Sequence, residues 1–254
     1  MSRQLKHLAM QVIVITGATS RIGLATARMA SRQGATLVLA ASNATTLERL
    51  ATEIRQAGGD VLAVPVDSGS QEQVAALGQA ALQRFGRIDT WINAGMAWGD
   101  IDEVKPTPVA VRLFKSHYLG ATYGASVAAE LMRQEGGAII NLDSEASARH
   151  GVKGWTDVLR ADLESVSAPI SVTLVHAASA VSAVSGDTHH APRWVAEAIL
   201  HAAQYPQRDV VAGSGPRVAP EAASVQVPAA PRLLARVREF FTARQPQKTF
   251  TATV

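Results

Sequence analysis

Short apolar runs alternate with longer stretches of helical periodicity along most of this chain. The first run is Val12 to Thr16, followed by a helix predicted over Ile22 to Gln33 that closes near Gly34. Ala35 to Ala40 comes next, then a helix from about Ala44 to Ala57 ending at Gly58-Gly59, then Val61 to Val66. A helix from about Gln71 to Phe85 leads into Ile88 to Ile92, and a long helical stretch from about Val109 to Gln134 leads into Ala138 to Leu142. Ile170 to Val175 is the sixth strand. These strands are apolar throughout rather than alternating, which predicts a parallel sheet buried on both faces with right-handed crossovers. The expected fold class is therefore α/β, a doubly wound parallel sheet in a single domain.

The later chain is less regular. Ala177 to Ser185 is small and weakly patterned, and Val218 to Pro231 is rich in Ala, Pro and Val, so both read as loop or linker. Ala191 to Gln204 and Arg232 to Arg244 are amphipathic helix candidates, and Gln245 to Val254 has little to bury and reads as a mobile tail. The expected division is a binding domain over residues 1–217, then a linker, helix and tail over 218–254.

Composition narrows the chemistry. With 254 residues and 47% hydrophobic content the chain can bury a large core without staples, and the absence of cysteine excludes disulfides, thiol catalysis and thiolate metal sites. The cytoplasm is the expected compartment. A net charge of +3 is no concentrated basic surface, so no nucleic-acid partner is implied. No apolar run is long enough to span a bilayer, and Met1 to Met10 lacks the apolar core of a signal peptide, so no membrane association is expected.

Immediately after the first strand comes Thr16-Gly17-Ala18-Thr19-Ser20-Arg21-Ile22-Gly23, where the strand hands over to a helix N-terminus. Unpaired N–H groups and the positive end of the helix dipole favour a diphosphate there; Gly17 permits a tight turn, and Gly23 permits close helix–sheet packing. A glycine pattern alone is weak evidence, and its placement after strand one of an alternating chain is the supporting context.

This segment resembles the Thr-Gly-x-x-x-Gly-x-Gly signature of short-chain dehydrogenases/reductases. Asn93-Ala94-Gly95 is similar to their Asn-Asn-Ala-Gly element, Asp67 matches their adenine-contacting aspartate, and Gly137 to Ser144 resembles a fifth strand ending in the active-site serine. The likeness runs over roughly residues 10 to 212, through Gly151 to Arg160 and Ser171 to Leu174. It implies a Rossmann fold, hydride transfer between NAD(P) and a small carbonyl or alcohol substrate, and a homodimer or homotetramer. The cofactor-binding residues it implies are Gly17, Thr19, Ser20, Arg21, Ile22, Gly23, Ser42, Asp67, Asn93, Ala94 and Gly95.

The chain departs from that family in three places. Arg21 replaces the middle glycine, where it either pairs with a phosphate or obstructs the nucleotide. At the end of strand two, Ala40-Ala41-Ser42-Asn43 lacks the carboxylate that would bind the ribose of NAD. A 2′-phosphate meets no repulsion there, and Ser42, Asn43 and Arg21 could offer it donors, so NADP is slightly preferred over NAD.

The third departure follows Ser144, where the family places a Tyr-x-x-x-Lys pair that exchanges the proton. Here Ser144 to His150 runs directly into Gly151-Val152-Lys153-Gly154, and none of the three tyrosines, Tyr118, Tyr123 and Tyr205, has a lysine four residues on. General acid catalysis contributes typically about 10²–10⁴-fold, so the loss is large. Ser144 remains as the matched catalytic residue. His117 occupies the place of the family's active-site asparagine and is the candidate proton donor, against the plainer reading of a partly buried histidine satisfied by backbone. Lys153 reads as a surface lysine, and His189-His190 as a solvated loop rather than a metal pair. Two functions follow: an oxidoreductase with an unconventional proton donor, or a non-catalytic pseudoenzyme that holds a nucleotide or a protein partner.

Overall fold

The computed structural model, which describes residues 4–95, 115–144, 151–177, 191–212 and 216–218, turns Val12 and Val14 to one face of a central sheet and Ile13 and Ile15 to the other. All four are buried. That two-sided burial explains why the strands lack polar alternation. The strands are β1 (Val12–Thr16), β2 (Thr36–Ala41), β3 (Val61–Pro65), β4 (Thr90–Asn93), β5 (Gly137–Ser144), β6 (Ile170–Ala177), β7 (Asp209–Ala212) and β8 (Pro216–Val218). They form a sheet in the order β3-β2-β1-β4-β5-β6-β7-β8.

The α-helices among the described residues are α1 (Arg21–Arg32), α2 (Ala44–Gln56), α3 (Gln71–Phe85), α4 (Gly120–Leu131), α5 (Gly151–Ser165) and α6 (Ala191–Gln204). On one face Ile22, Leu50 and Ile199, from α1, α2 and α6, pack over Ile13, Leu39 and Leu142. On the other, Leu77, Ala128 and Leu159, from α3, α4 and α5, pack over Val14, Trp91 and Ile139. The doubly wound α/β class is thus borne out. Helix starts follow from side-chain caps, with Ser20, Asn43 and Ser70 accepting from Gly23, Thr46 and Gln73. Gly86, at φ 74°, closes α3 in the left-handed conformation.

Several expectations need correction. The sheet is not wholly parallel, because β8 pairs antiparallel with β7, and neither strand stands out in the sequence, being only four and three residues long. Edge strand β3 is only partly buried and ends at Pro65, which an edge tolerates. β6 runs on to Ala177, because the rungs Asp143↔His176 and Ser144↔Ala177 continue the pairing with β5. The described part of the long helix expected from Val109 is a π-helical turn, Lys115–Leu119, followed by α4. The helix, linker and tail expected beyond Val218, the loop with His189-His190, and residues 145–150 after Ser144 lie outside the described residues.

Candidate functional site

At the end of β1 the chain turns through Gly17, whose φ of 68° disfavours any side chain. A β-carbon there would lie 2.5 Å from the Gly95 Cα, and one on Gly23 would lie 2.2 Å from the Gly17 carbonyl oxygen. The two glycines therefore let the turn, the α1 N-terminus and the end of β4 close on one another. Ala18 donates its N–H to the Ala40 carbonyl at 3.0 Å, which ties the turn to β2. Ser20 Oγ accepts from Gly23 N–H at 2.9 Å and donates to the Ala94 carbonyl at 3.0 Å, so its hydroxyl is engaged within the protein. Helix geometry leaves the first amides of a helix such as α1 without intrahelical carbonyls. Thr19 is partly exposed and Arg21 exposed, while Ile22 is buried beneath the turn.

Asn93 has a different place from the one its motif suggests. Its Oδ1 accepts from Thr16 Oγ1 at 3.1 Å and Trp91 Nε1 at 3.0 Å, and its Nδ2 donates to Asn141 Oδ1 at 2.8 Å and the Ala121 carbonyl at 3.3 Å. All four hydrogen-bonding positions of the amide are thus filled from inside. Asn141 continues the network by donating to Thr156 Oγ1 at 3.0 Å, joining β4 and β5 to α5. Gly124 on α4 makes room for it, since a β-carbon there would meet Asn93 Oδ1 at 2.1 Å. What remains for a ligand at this corner is backbone: Ala94, buried and donating to the Thr16 carbonyl, and Gly95 beside Gly17.

Beyond β2, Ser42 is exposed, whereas Asn43 is spent on capping, its Oδ1 accepting from Thr46 N–H at 2.9 Å. Asp67, exposed after β3, accepts from Gly69 N–H at 2.9 Å through Oδ1. These positions line one sheet end, where β1, β2, β3 and β4 present their C-termini, the usual ligand edge of such sheets.

The same edge carries a charged cluster at β5 and β6. Asp143, immediately before Ser144, is 6% exposed, and His117 is 7% exposed. Burial holds the His117 imidazole below its ordinary range, with Asp143 and the Leu142 backbone pulling the other way. His176 places Nδ1 3.5 Å from Asp143 Oδ2 and Nε2 3.9 Å from Asp209 Oδ1, and these two carboxylates, Asp143 chiefly, raise it to about 9. Burial pushes Asp209 upward, but His176 and Arg160 outweigh it and bring it below the usual carboxylate range. Arg160 Nη1 lies 2.7 Å from Asp157 Oδ1, which Lys153 approaches at 2.8 Å through Oδ2. Lys153 is therefore half-buried in an ion pair rather than a free surface lysine.

From the sequence alone His117 and Ser144 are singled out, and neither Asp143 nor His176 is. Parallel pairing of β5 with β6 brings Asp143 and His176 onto one rung. A polar residue late in each of two apolar runs was the available signal. Ser144 forms the next rung with Ala177.

The sequence profile described as short chain dehydrogenase matches residues 11–188. The chain is 37% identical over 241 residues to the uncharacterized oxidoreductase YxnA of Bacillus subtilis (strain 168), covering 83% of this chain and 67% of that protein. It is 29% identical over 236 residues to dehydrogenase/reductase SDR family member 7B of Bos taurus, covering 79% and 72% respectively. Among solved structures, a short chain dehydrogenase from Mycobacterium smegmatis superposes with a TM-score of 0.70 at 23% identity, over 84% of this chain and 96% of that one. A short chain dehydrogenase/reductase from Burkholderia phymatum in complex with NAD gives 0.70 at 22% identity, over 98% and 100%. At those identities the two structures speak to the fold.

Proposed function

Because the chain belongs to the short-chain dehydrogenase family, we propose that it binds NAD(P) at the β1–α1 turn and exchanges hydride between that dinucleotide and a small carbonyl or alcohol substrate. The observation that carries this reading is the close backbone packing of Gly17 on Gly95 and of Gly23 on the Gly17 carbonyl at the α1 N-terminus, contacts that any β-carbon would break. The N-terminal turn of α1 would hold the diphosphate, with Thr19 and Arg21 beside it and Ile22 beneath, while Ser20 shapes the loop. Gly95 and Ala94 supply the floor, and Asn93 braces it from behind. Ser42 would hold the adenosine ribose and Asp67 the adenine. With no carboxylate after β2, NADP is slightly favoured over NAD.

When bound, the nicotinamide supplies or takes up the hydride. The protein must move one proton at the substrate oxygen, and the residue assigned to that task is His117, with Ser144 orienting the substrate. The small-molecule substrate is drawn from the cytoplasm, and the protein acts as a homodimer or homotetramer. Among the described residues no helix is long and apolar enough to cross a membrane.

The test is a fluorescence titration with NADPH and NADH, followed by a panel of aldehydes, ketones and alcohols monitored at the nicotinamide absorbance. Binding with turnover, lost in His117→Ala and Ser144→Ala, supports the reading. Binding without turnover on any substrate instead supports a nucleotide-holding pseudoenzyme, the function favoured by the absence of a Tyr-x-x-x-Lys pair after Ser144. Failure to bind either nucleotide removes both.

A further inference from the structure

Outside the candidate site, α1 and α2 enclose a groove of about 650 Å³, lined by Leu24 and Arg28 from α1 and by Thr45, Arg49, Leu50 and Glu53 among others from α2. The strands that these helices connect, β1, β2 and β3, pair parallel, so the two helices run in the same direction and the groove follows both. The span from Arg21 to Gln56 holds five arginines against two glutamates, an excess of three that equals the formal net charge of the whole chain, +3. A charge that is small over the molecule is therefore gathered on this pair of helices.

Within the groove the two carboxylates are already matched. Glu53 accepts from Arg28 Nε at 2.8 Å and Nη2 at 2.7 Å, a two-pronged pair that bridges the helices, and Glu48 takes Arg55 at 2.7 Å. Arg49, one turn before Glu53, and Arg32, one turn beyond Arg28, are both exposed and are in no ion pair within 4.0 Å among the described residues. Their charge still reaches Glu53, which the Arg28 hydrogen bond chiefly, with Arg32 and Arg49 at longer range, holds below the usual carboxylate range.

A neutral centre thus stands between two uncompensated cations. A helix rises about 1.5 Å per residue, so Arg32 lies about 6 Å to one side of the Arg28–Glu53 bridge and Arg49 about 6 Å to the other, roughly 12 Å apart along the groove. A compact anion such as phosphate does not span that distance, and a nucleic-acid strand, charged at every residue, sets a phosphate against Glu53. An extended peptide meets both demands, because residues i and i+4 project from one face about 13 Å apart and the residue midway between them is free to be uncharged.

We propose that the α1–α2 groove docks an extended acidic segment of another protein, whose carboxylates four residues apart meet Arg32 and Arg49 while an uncharged residue between them lies over the Arg28–Glu53 bridge. None of these residues belongs to the nucleotide-binding set, so the inference stands or falls independently of hydride transfer. Thr45 and Thr52 line the same groove and offer hydroxyls to the peptide backbone.

The experiment is an NMR titration of the full chain that follows the Arg32 and Arg49 side-chain Nε–H signals, assigned by their loss in Arg32→Gln and Arg49→Gln. Two synthetic peptides of equal composition, acetylated and amidated, are the probes: Ser-Glu-Ser-Thr-Ser-Glu-Ser, with the glutamates four apart, and Ser-Ser-Glu-Glu-Thr-Ser-Ser, with them adjacent. The spaced peptide should shift both signals saturably and bind about threefold more tightly than the adjacent one, the worth of one exposed ion pair. Arg49→Glu and Arg32→Glu should each weaken it by about tenfold, through a lost attraction and a new repulsion, whereas Arg133→Glu, an equal charge change at an exposed position beyond α4, should not. Having two reversals in the groove keeps the test decisive if one of them fails to fold. Equal affinity for the two peptides, or equal weakening by Arg133→Glu, marks diffuse attraction and overturns the proposal. Tighter binding of inorganic phosphate or of a single-stranded oligothymidylate at the same signals overturns it as well.

Discussion

Gly17 and Gly95 meet backbone to backbone: a β-carbon on Gly17 would stand 2.5 Å from both the Cα and the nitrogen of Gly95. Because the obstructing atoms belong to the main chain of β4's end, neither partner can swing aside. Gly17→Ala should therefore cost stability, by about 2–4 kcal/mol in urea unfolding, and should abolish NADPH binding. Gly58 is the control. Its φ of 87° is equally left-handed, yet nothing lies within 4 Å of a β-carbon there, so Gly58→Ala should cost only about 1 kcal/mol and leave nucleotide binding intact.

The Asn93 amide is filled on all sides by Thr16, Trp91, Ala121 and Asn141. Asn93→Leu removes two acceptor and two donor roles at once and leaves the buried Trp91 Nε1 and Asn141 Oδ1 without their partner, while Thr16 Oγ1 keeps the Ile92 carbonyl at 3.5 Å. Loss of about 3 kcal/mol or more in chemical denaturation is expected. An Asn93→Leu protein as stable as the parent would show that the network is not a brace.

His176 makes the stability of the fold depend on alkaline pH. Its affinity for protons is raised in the folded state, to about 9 from 6.5, by Asp143 and Asp209. The stabilisation is fully present below the unfolded value, fades as pH rises through that window, and is gone above about 9. Unfolding free energy should fall by on the order of 2 kcal/mol between those limits, with the partial exposure of the ring keeping the loss modest. In His176→Gln this slope should disappear. His117 contributes the opposite slope at the acid end, because a buried imidazole must charge as pH drops below 6.5.

Nucleotide choice is testable at Ser42, exposed just beyond β2. A carboxylate there should repel a 2′-phosphate and accept a hydrogen bond from the free ribose. Ser42→Asp is expected to weaken NADPH binding by about tenfold or more, while NADH binding holds or improves. Fluorescence titration of both nucleotides reads the ratio, and an unaltered ratio would place the discriminating contact elsewhere.

The β1–α1 turn was legible because its requirements are local: a strand period, two glycines and a helix start within eight residues, Thr16 to Gly23. The β5–β6 cluster was not, since Asp143 and His176 are distant in sequence and meet only through strand register. Asn93 shows a third situation, in which the motif was visible but the direction of the side chain was not. Only the arrival of Asn141, Trp91 and Thr16 around it decides that the amide points into the core. Short strands β7 and β8 carried too few residues to register as a period, and β8's antiparallel direction comes from pairing alone.

The amino-acid sequence by itself determined the alternation of strand and helix, the two-sided burial of the sheet and the glycine turn, because hydrophobic period and backbone freedom act over a few neighbouring residues. Tertiary structure decided which polar side chains are consumed by the fold and which are left unpartnered. That outcome depends on register, burial and the charges that distant strands bring together, and it separates Asn93, fully engaged, from His117 and Asp143, each with a buried atom that has no partner among the described residues.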